Sequence, residues 1–210
     1  MSESDRNRRR DALLSELSRR VADPRVLAAV AAVPREAFVP VEVRGEAWEN
    51  HPLPIGHGQT ISQPLIVARM CELLELTDDD LVLDVGSGSG YHAALLSRLC
   101  RHVYGVELDA GLAEQAARSL ELAGIENVTI VPCDGAAGLP EHAPYDAINV
   151  AAAAAGEVPP ALAAQLAEGG RLIAPVARRG AEHLVFVRRG PDGLERTPLN
   201  AVRFVPLRPG

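Results

Sequence analysis

The sequence predicts an α/β fold: a mostly parallel sheet covered by helices on both faces, ending in an antiparallel hairpin and preceded by a helical addition. Three observations point there. From residue 81 onward, short apolar runs such as LVLDV (81–85) and NVTIVP (127–132) alternate with alanine-rich helical stretches, the pattern of parallel strands buried on both sides. A glycine cluster, GSGSG at 86–90, stands directly between the first of these strands and the next helix. Near the end, two extended runs flank a PDG turn (191–193), which reads as a hairpin and not as a helical crossover.

Taken in order, residues 11–22 (DALLSELSRRVA) carry apolar positions at Ala12, Leu13, Leu17 and Val21 and read as a helix. Asp23 as N-cap and Pro24 at the first helical position open a second helix, RVLAAVAAV, which runs to Pro34. REAFVPVEVRGEAWENHPLP is rich in proline and without a sustained period, so it is expected to cross irregularly. The polar run IGHGQTISQP (55–64) follows, and Pro64 starts the helix PLIVARMCELLEL. The sheet then begins, with strands at 81–85, 102–108, 127–132, 145–152 and 171–176. Helices are expected at YHAALLSRL, at AGLAEQAARSLELAG, closed by Gly124, and at VPPALAAQLAEGG with its glycine stop. AEHLVFVRRGPDGLERTPL forms the hairpin, and AVRFVPL is a last strand or an edge extension of it.

The length of 210 residues suits one domain, residues 1–210, with 1–76 as a helical and loop addition and 81–210 as the core. Hydrophobic residues make up 47% but aromatics only 3%, so the core is expected to be aliphatic. A formal charge of −7 provides no broad basic surface for nucleic acid. The run RNRRR at 6–10 is expected to be a frayed, solvated first turn. Cys71, Cys100 and Cys133 are far apart, which fits a reduced, metal-free interior. With no apolar run of membrane length and no signal-peptide core, the expected setting is the cytoplasm, away from membranes, as a monomer.

The chemistry concentrates around LVLDVGSGSGYHAALL, where Gly86, Gly88 and Gly90 let a ligand lie against the main chain. The third glycine falls one position too early for a dinucleotide fingerprint. Asp84, at the end of the strand, would repel a diphosphate held at this turn but would tolerate a ligand carrying an ammonium and a sulfonium, namely S-adenosylmethionine. Glu107 ends the next strand, where a carboxylate can accept from both ribose hydroxyls; the competing reading gives that strand end to Asp109 as a helix cap. Asp134 and Gly135 follow the third strand at the height of an adenine ring, either contacting it or making a plain Asp-Gly turn. The candidate cofactor residues are therefore Asp84, Gly86, Ser87, Gly88, Gly90, Glu107, Leu108, Asp134 and Gly135.

With these residues in view, the chain resembles the protein-L-isoaspartate O-methyltransferase family. The resemblance runs from DPRVLAAVAAVPREAFVP through LPIGHGQTISQP, VLDVGSGSGYHAALL, YGVE, Asp134-Gly135, PYDAINVAAA and GGRLIAPV to RFVPL. LPIGHGQTISQP is its specific signature, since the glycine motif marks any class I methyltransferase. The resemblance implies a Rossmann-like, seven-stranded class I methyltransferase sheet, S-adenosyl-L-methionine as cofactor, and isoaspartyl-containing proteins or peptides as substrates. It also implies that Ser62 is the active-site residue, with Thr60 lining the substrate and the methionyl end of the cofactor. Capping of the following helix is the competing role for Ser62, and His57 is read as touching substrate or satisfying loop carbonyls.

Some segments depart from the family pattern: Asn50 in WEN, the AAAAAG run at 151–156, and ARRGAEH after Val176. They leave the cofactor half intact and bear on substrate range. Two other functions are weighed beside carboxyl methylation of isoaspartyl residues. One is methylation of a dedicated peptide or small-molecule carboxylate; the other is cofactor binding without turnover.

Overall fold

A computed structural model describes residues 2–208. Helix α1 (Glu3–Leu17) is capped by the Ser2 hydroxyl, which accepts from the Asp5 amide at 3.1 Å. The arginine run lies inside this helix and is not a frayed turn. It reaches across to the next segments, with Arg9 pairing Glu49 at 2.7 Å and Arg6 pairing Glu36 at 3.4 Å. Helix α2 (Pro24–Ala32) starts as its sequence dictates: Asp23 accepts from the Arg25 amide at 2.7 Å and proline occupies the first turn.

The irregular stretch holds two short 3₁₀ turns, Arg35–Phe38 and Val41–Glu46. Beyond it, strands β1 (Leu53–Gly56) and β2 (Gln59–Ile61) pair as a small antiparallel hairpin, which the pattern of the sequence did not predict. Helix α3 (Pro64–Leu73) follows.

The main sheet contains β3 (Leu81–Val85), β4 (His102–Glu107), β5 (Val128–Pro132), β6 (Tyr145–Val150), the two-residue β7 (Ala154–Ala155), β8 (Leu166–Arg178), β9 (Ala181–Gly190) and β10 (Gly193–Ala201). Its order among the described residues is β10-β9-β8-β6-β3-β4-β5, with β7 alongside the end of β8. Strands β5, β4, β3, β6 and β8 run parallel, whereas β9 and β10 return antiparallel through the turn at PDG. The chain moves outward from β3 to β5 and then returns to the other side of β3 as β6. The crevice beyond the carboxyl ends of β3 and β6 is therefore the topological switch point, where open α/β sheets bind ligands.

The period-2 alternation of the strands decides what covers each face. Val82, Val103, Ala147 and Ile173 point into one apolar cluster with α1, α2, α3, α4 (Tyr91–Leu96) and α5 (Ala110–Leu122). Leu83, Val85, Ile148, Leu172 and Ala174 point the other way, into a cluster with α6 (Pro160–Ala164) and Tyr145. Arg171 stitches the α3 end to the sheet: it donates to the Leu74 carbonyl at 2.9 Å and meets Asp80 at 2.6 Å, with both side chains nearly buried.

Two expectations need correction. VPPALAAQLAEGG is helical only over Pro160–Ala164, because Leu166 already pairs with Tyr145 at the start of β8. The Gln165 side chain bonds the carbonyls of Ala137 and Ala161 and so ends the helix. AVRFVPL extends the hairpin edge only at its start, where Ala201 pairs with His183 and the Val202 amide donates to Glu182, and is not a strand beyond that. It crosses the sheet end as an extended tail that makes one parallel bridge, Ala153 with Pro206. No helix among the described residues is long and apolar enough to cross a membrane.

Candidate active site

A cleft opens at the switch point. Its floor is the glycine turn, Gly86 to Ser89, together with His92; one wall carries Glu107, Leu108 and Gly135. The opposite wall is Gln59, Thr60, Ile61 and Ser62, and the tail residues Val205–Arg208 complete the enclosure. The tail is held there by paired backbone bonds: the Ala153 amide donates to Val205 at 2.7 Å, and the Leu207 amide to Ala153 at 2.8 Å.

On the floor, the amides of Gly86 and Ser87 both donate to the Val106 carbonyl, at 2.8 and 3.1 Å, which curls the turn over the end of β4. Gly88 has φ +52, and a Cβ there would stand 3.3 Å from Ile55 of the hairpin. Absence of a side chain at Gly88 thus lets the hairpin pack on the turn. Glu107 is fixed at both oxygens: Oε2 accepts the Gly88 amide at 2.9 Å and Oε1 the Asp109 amide at 3.0 Å. Each oxygen keeps a further lone pair, so the anchored carboxylate can still accept from a pair of hydroxyls. Asp109 does cap α5, accepting from Gly111 and Leu112, so the two acids divide the roles that the sequence left open.

Asp84, Gly90 and Asp134 do not line the cavity. Asp134 caps the short turn Gly135–Ala137, accepting from the Ala136 amide at 2.8 Å. Gly90, at φ +85, starts α4 and faces Ala116, whose Cβ would be 3.2 Å from an added one. Asp84 is fully buried beneath the turn, where its Oδ1 accepts from Asn149 Nδ2 at 2.7 Å. The same Nδ2 lies 3.1 Å from His92 Nδ1, so that ring nitrogen accepts and the imidazole proton sits on Nε2. Burial pushes the Asp84 carboxyl up to about 6, opposed by hydrogen bonds from Asn149 and Ser87. Burial likewise pushes His92 down to about 3, keeping it neutral. Asp84 Oδ2, Asn149 Oδ1 and His92 Nε2 are buried and find no partner among the described residues.

The hairpin wall is organised by a residue that the sequence reading missed. Arg35 is fully buried and donates to the carbonyls of Ala47 (3.1 Å), Glu49 (3.2 Å), His51 (3.3 Å) and Ser62 (3.0 Å). Its guanidinium lies over the Tyr91 ring, 5.6 Å from the centroid. Desolvation lowers it to about 10, so it remains a cation at neutral pH. An arginine beside a proline in an unperiodic segment carries no sequence signal of such a role. Trp48, in the same loop, is buried in the larger apolar cluster, which it shares with one face of the sheet.

Ser62 does not cap α3. Asn50 does, through Oδ1 accepting the Leu65 amide at 3.1 Å, while its Nδ2 donates to Glu16 at 2.6 Å. The asparagine of WEN therefore ties α1 to the entry of α3 and leaves the Ser62 side chain to the cavity. His57 pairs with Asp109 at 2.8 Å rather than with loop carbonyls. The ARRGAEH departure forms the β8–β9 turn, with Arg179 and Gly180 both at positive φ.

Comparisons with known proteins identify the family. A model of the protein-L-isoaspartate(D-aspartate) O-methyltransferase family matches residues 8–210. The chain is 52% identical over 203 residues to protein-L-isoaspartate O-methyltransferase 2 of Pelobacter propionicus, covering 95% of this chain and 90% of that one. It is 51% identical to the protein-L-isoaspartate O-methyltransferase of Parvibaculum lavamentivorans, covering 90% and 86%. A solved protein-L-isoaspartate O-methyltransferase superposes with a TM-score of 0.85 at 31% identity; the match covers 94% of this chain and spans 65% of that structure's length. A Plasmodium falciparum structure described as a protein-L-isoaspartate O-methyltransferase, in complex with S-adenosyl-L-homocysteine, superposes with a TM-score of 0.80 at 28% identity, covering 94% and 97%.

Proposed function

The chain belongs to the protein-L-isoaspartate(D-aspartate) O-methyltransferase family, and from that premise we propose how its own residues perform the reaction. The protein transfers methyl from S-adenosyl-L-methionine to the free carboxylate of L-isoaspartyl residues in damaged proteins or peptides, the step that begins their repair.

The cavity suits that cofactor. Glu107, already steadied by two amides, would hold the ribose hydroxyls; Gly135, with Asp134 behind it, would flank the adenine; and the main chain of Gly86, Ser87 and Gly88 would meet the methionyl end. Asp84, buried beneath the turn and outside the lining, sets a carboxylate behind the methionyl end without touching it, and Leu108 supplies apolar contact beside Glu107. When bound, S-adenosylmethionine supplies an electrophilic methyl on a sulfonium.

The work left to the protein is positioning. An acceptor carboxylate has a pKa of about 4 and is ionised at neutral pH, so no strong base is required. Ser62 donates a hydrogen bond to that carboxylate and turns one oxygen toward the methyl group; Thr60 lines the approach. The Ser62 hydroxyl acts as an orienter and not as a nucleophile, because no acyl intermediate is involved. The observation that carries this reading is that the hydroxyl ledge at Thr60–Ser62 and the anchored carboxylate of Glu107 face one cavity.

We read the protein as a cytoplasmic monomer acting on polypeptides rather than on nucleic acid or membrane. Its charge of −7 and its unpaired thiols at Cys71, Cys100 and Cys133 support this. The test is methyl transfer from labelled S-adenosylmethionine to an isoaspartyl peptide, beside the same peptide with normal aspartate. Transfer confined to the isoaspartyl form is expected. Bound cofactor with transfer to neither peptide would point to a dedicated acceptor or to a protein that binds without turnover.

A further inference from the structure

The tip of the β1–β2 hairpin is attached to the cofactor half in a way the reaction itself does not explain. Gly56, His57 and Gly58 have φ of +89, +52 and +70, three successive left-handed residues. Two are glycine, but histidine in that region is strained and persists only where its surroundings hold it. What holds it is built on both sides. His57 Nδ1 lies 2.8 Å from Asp109 Oδ2, and since a carboxylate only accepts, Nδ1 carries the proton and donates. Asp109 commits its other oxygen, Oδ1, to the amides of Gly111 and Leu112, so Oδ2 is reserved for the imidazole. Gly111 clears the seat: a Cβ there would stand 3.2 Å from His57 Cε1.

The contacts then continue inward. The Asp109 amide donates to Glu107, whose second oxygen accepts the Gly88 amide, and Gly88 packs beneath Ile55 of the same hairpin. A closed circuit joins hairpin tip, helix start, ribose carboxylate and glycine turn. The pair is about half exposed, with the two side chains 47% and 39% accessible. Exposed pairs contribute little to global stability, so a strained residue held by one is better explained by placement than by stabilisation.

We propose that His57 is a positioning residue: through Asp109 it latches the Thr60–Ser62 ledge to the cofactor half, so that the acceptor is aligned only while the latch is closed and the cofactor leaves when it opens. This rests on the assignment of the cavity to cofactor and acceptor. The informative replacements are His57→Ala, which removes the contact, and His57→Asn, whose Nδ2 occupies the place of Nδ1 and which tolerates the left-handed conformation.

Three readouts test it: the release rate of S-adenosylhomocysteine by displacement, amide hydrogen exchange of residues 57–61 in cofactor-free protein, and kcat with KM for an isoaspartyl peptide. His57→Ala is expected to speed release and exchange by roughly tenfold and to lower kcat by roughly ten- to a hundredfold at nearly unchanged KM, the scale of a misplaced reactive group. His57→Asn is expected to restore most of each. Wild-type release and exchange in the alanine variant would overturn the latch, as would an asparagine variant no better than alanine. Release and exchange need no acceptor, so a wild-type protein inactive on the isoaspartyl peptide would count against the acceptor assignment and leave the latch to be judged by those two readouts.

Discussion

The two walls of the cavity are made by different means. On the cofactor side, each functional group sits at the end of a buried parallel strand: the glycine turn after β3, Glu107 closing β4, and Gly135 after β5. Their relative heights follow from strand register, Asp84 beside Gly105 and Glu107 beside Pro132. On the acceptor side, the ledge is a short hairpin outside the main sheet: Leu53, Ile55 and Ile61 bury into the apolar cluster, and its fixed contacts are one buried guanidinium, one surface pair and packing on Gly88. A sheet fixes positions through many equivalent bonds, whereas the ledge depends on a few irreplaceable ones. The first wall therefore tolerates single losses, and the second does not.

The sharpest way to break that contrast is Arg35→Met. It leaves the carbonyls of Ala47, Glu49, His51 and Ser62 without their donor, and hydrogen bonds to a buried cation are among the strongest in a protein. A loss of about 3–5 kcal/mol in urea unfolding is expected, with Arg35→Lys restoring little because an ammonium cannot span the same fork. Stability within 1 kcal/mol of wild type, roughly the scale of an ordinary surface change, would mean the ledge has other support.

Glu107→Ala attacks the opposite wall. It should weaken S-adenosylhomocysteine binding by roughly 1.5–3 kcal/mol in calorimetry, the scale of a lost charged acceptor, with the sheet intact. Unchanged affinity would remove the ribose assignment. Ser62→Ala is expected to slow methyl transfer by roughly ten- to a hundredfold, on the scale of lost alignment, while cofactor affinity stays within about threefold. A wild-type rate would strip Ser62 of its orienting role.

At Asp84 the direction of the effect is more informative than its size. Its folded carboxyl titrates at about 6 against an ordinary 3.8. A raised acid favours folding below the unfolded value and loses that contribution as pH rises through the folded one. Asp84→Asn should therefore stabilise the protein at pH 7.5, by on the order of 1–3 kcal/mol, with the gain fading below about pH 4. Weaker cofactor binding in the same variant would identify the buried charge as a cost retained for function. A variant less stable than wild type at pH 7.5 would contradict this account of the floor.

What the sequence disclosed follows the same division. Strands β3 to β6 are readable because each is a short run rich in apolar and β-branched residues set between helical stretches, and the glycine run marks the first turn. The Asp23-Pro24 start of α2 is readable because capping is local chemistry. The hairpin at 53–61 is not, since its strands are three and four residues long and its turn is centred on a histidine. The role of Arg35 is invisible for a related reason: its partners are carbonyls 12 to 27 positions away, and any residue type supplies a carbonyl. PPALAAQLAE carries helical spacing, but tertiary pairing of Leu166 with Tyr145 overrides it.

Trp48, the chain's single tryptophan, is 4% exposed between the two carbonyls, of Ala47 and Glu49, that Arg35 grips. The indole is thus a built-in optical probe seated where the acceptor wall meets the core. Its emission should shift to the red when the ledge loosens, while far-ultraviolet dichroism continues to report the sheet. Heated slowly, the molecule should show whether its two walls melt together or one before the other, with no label attached.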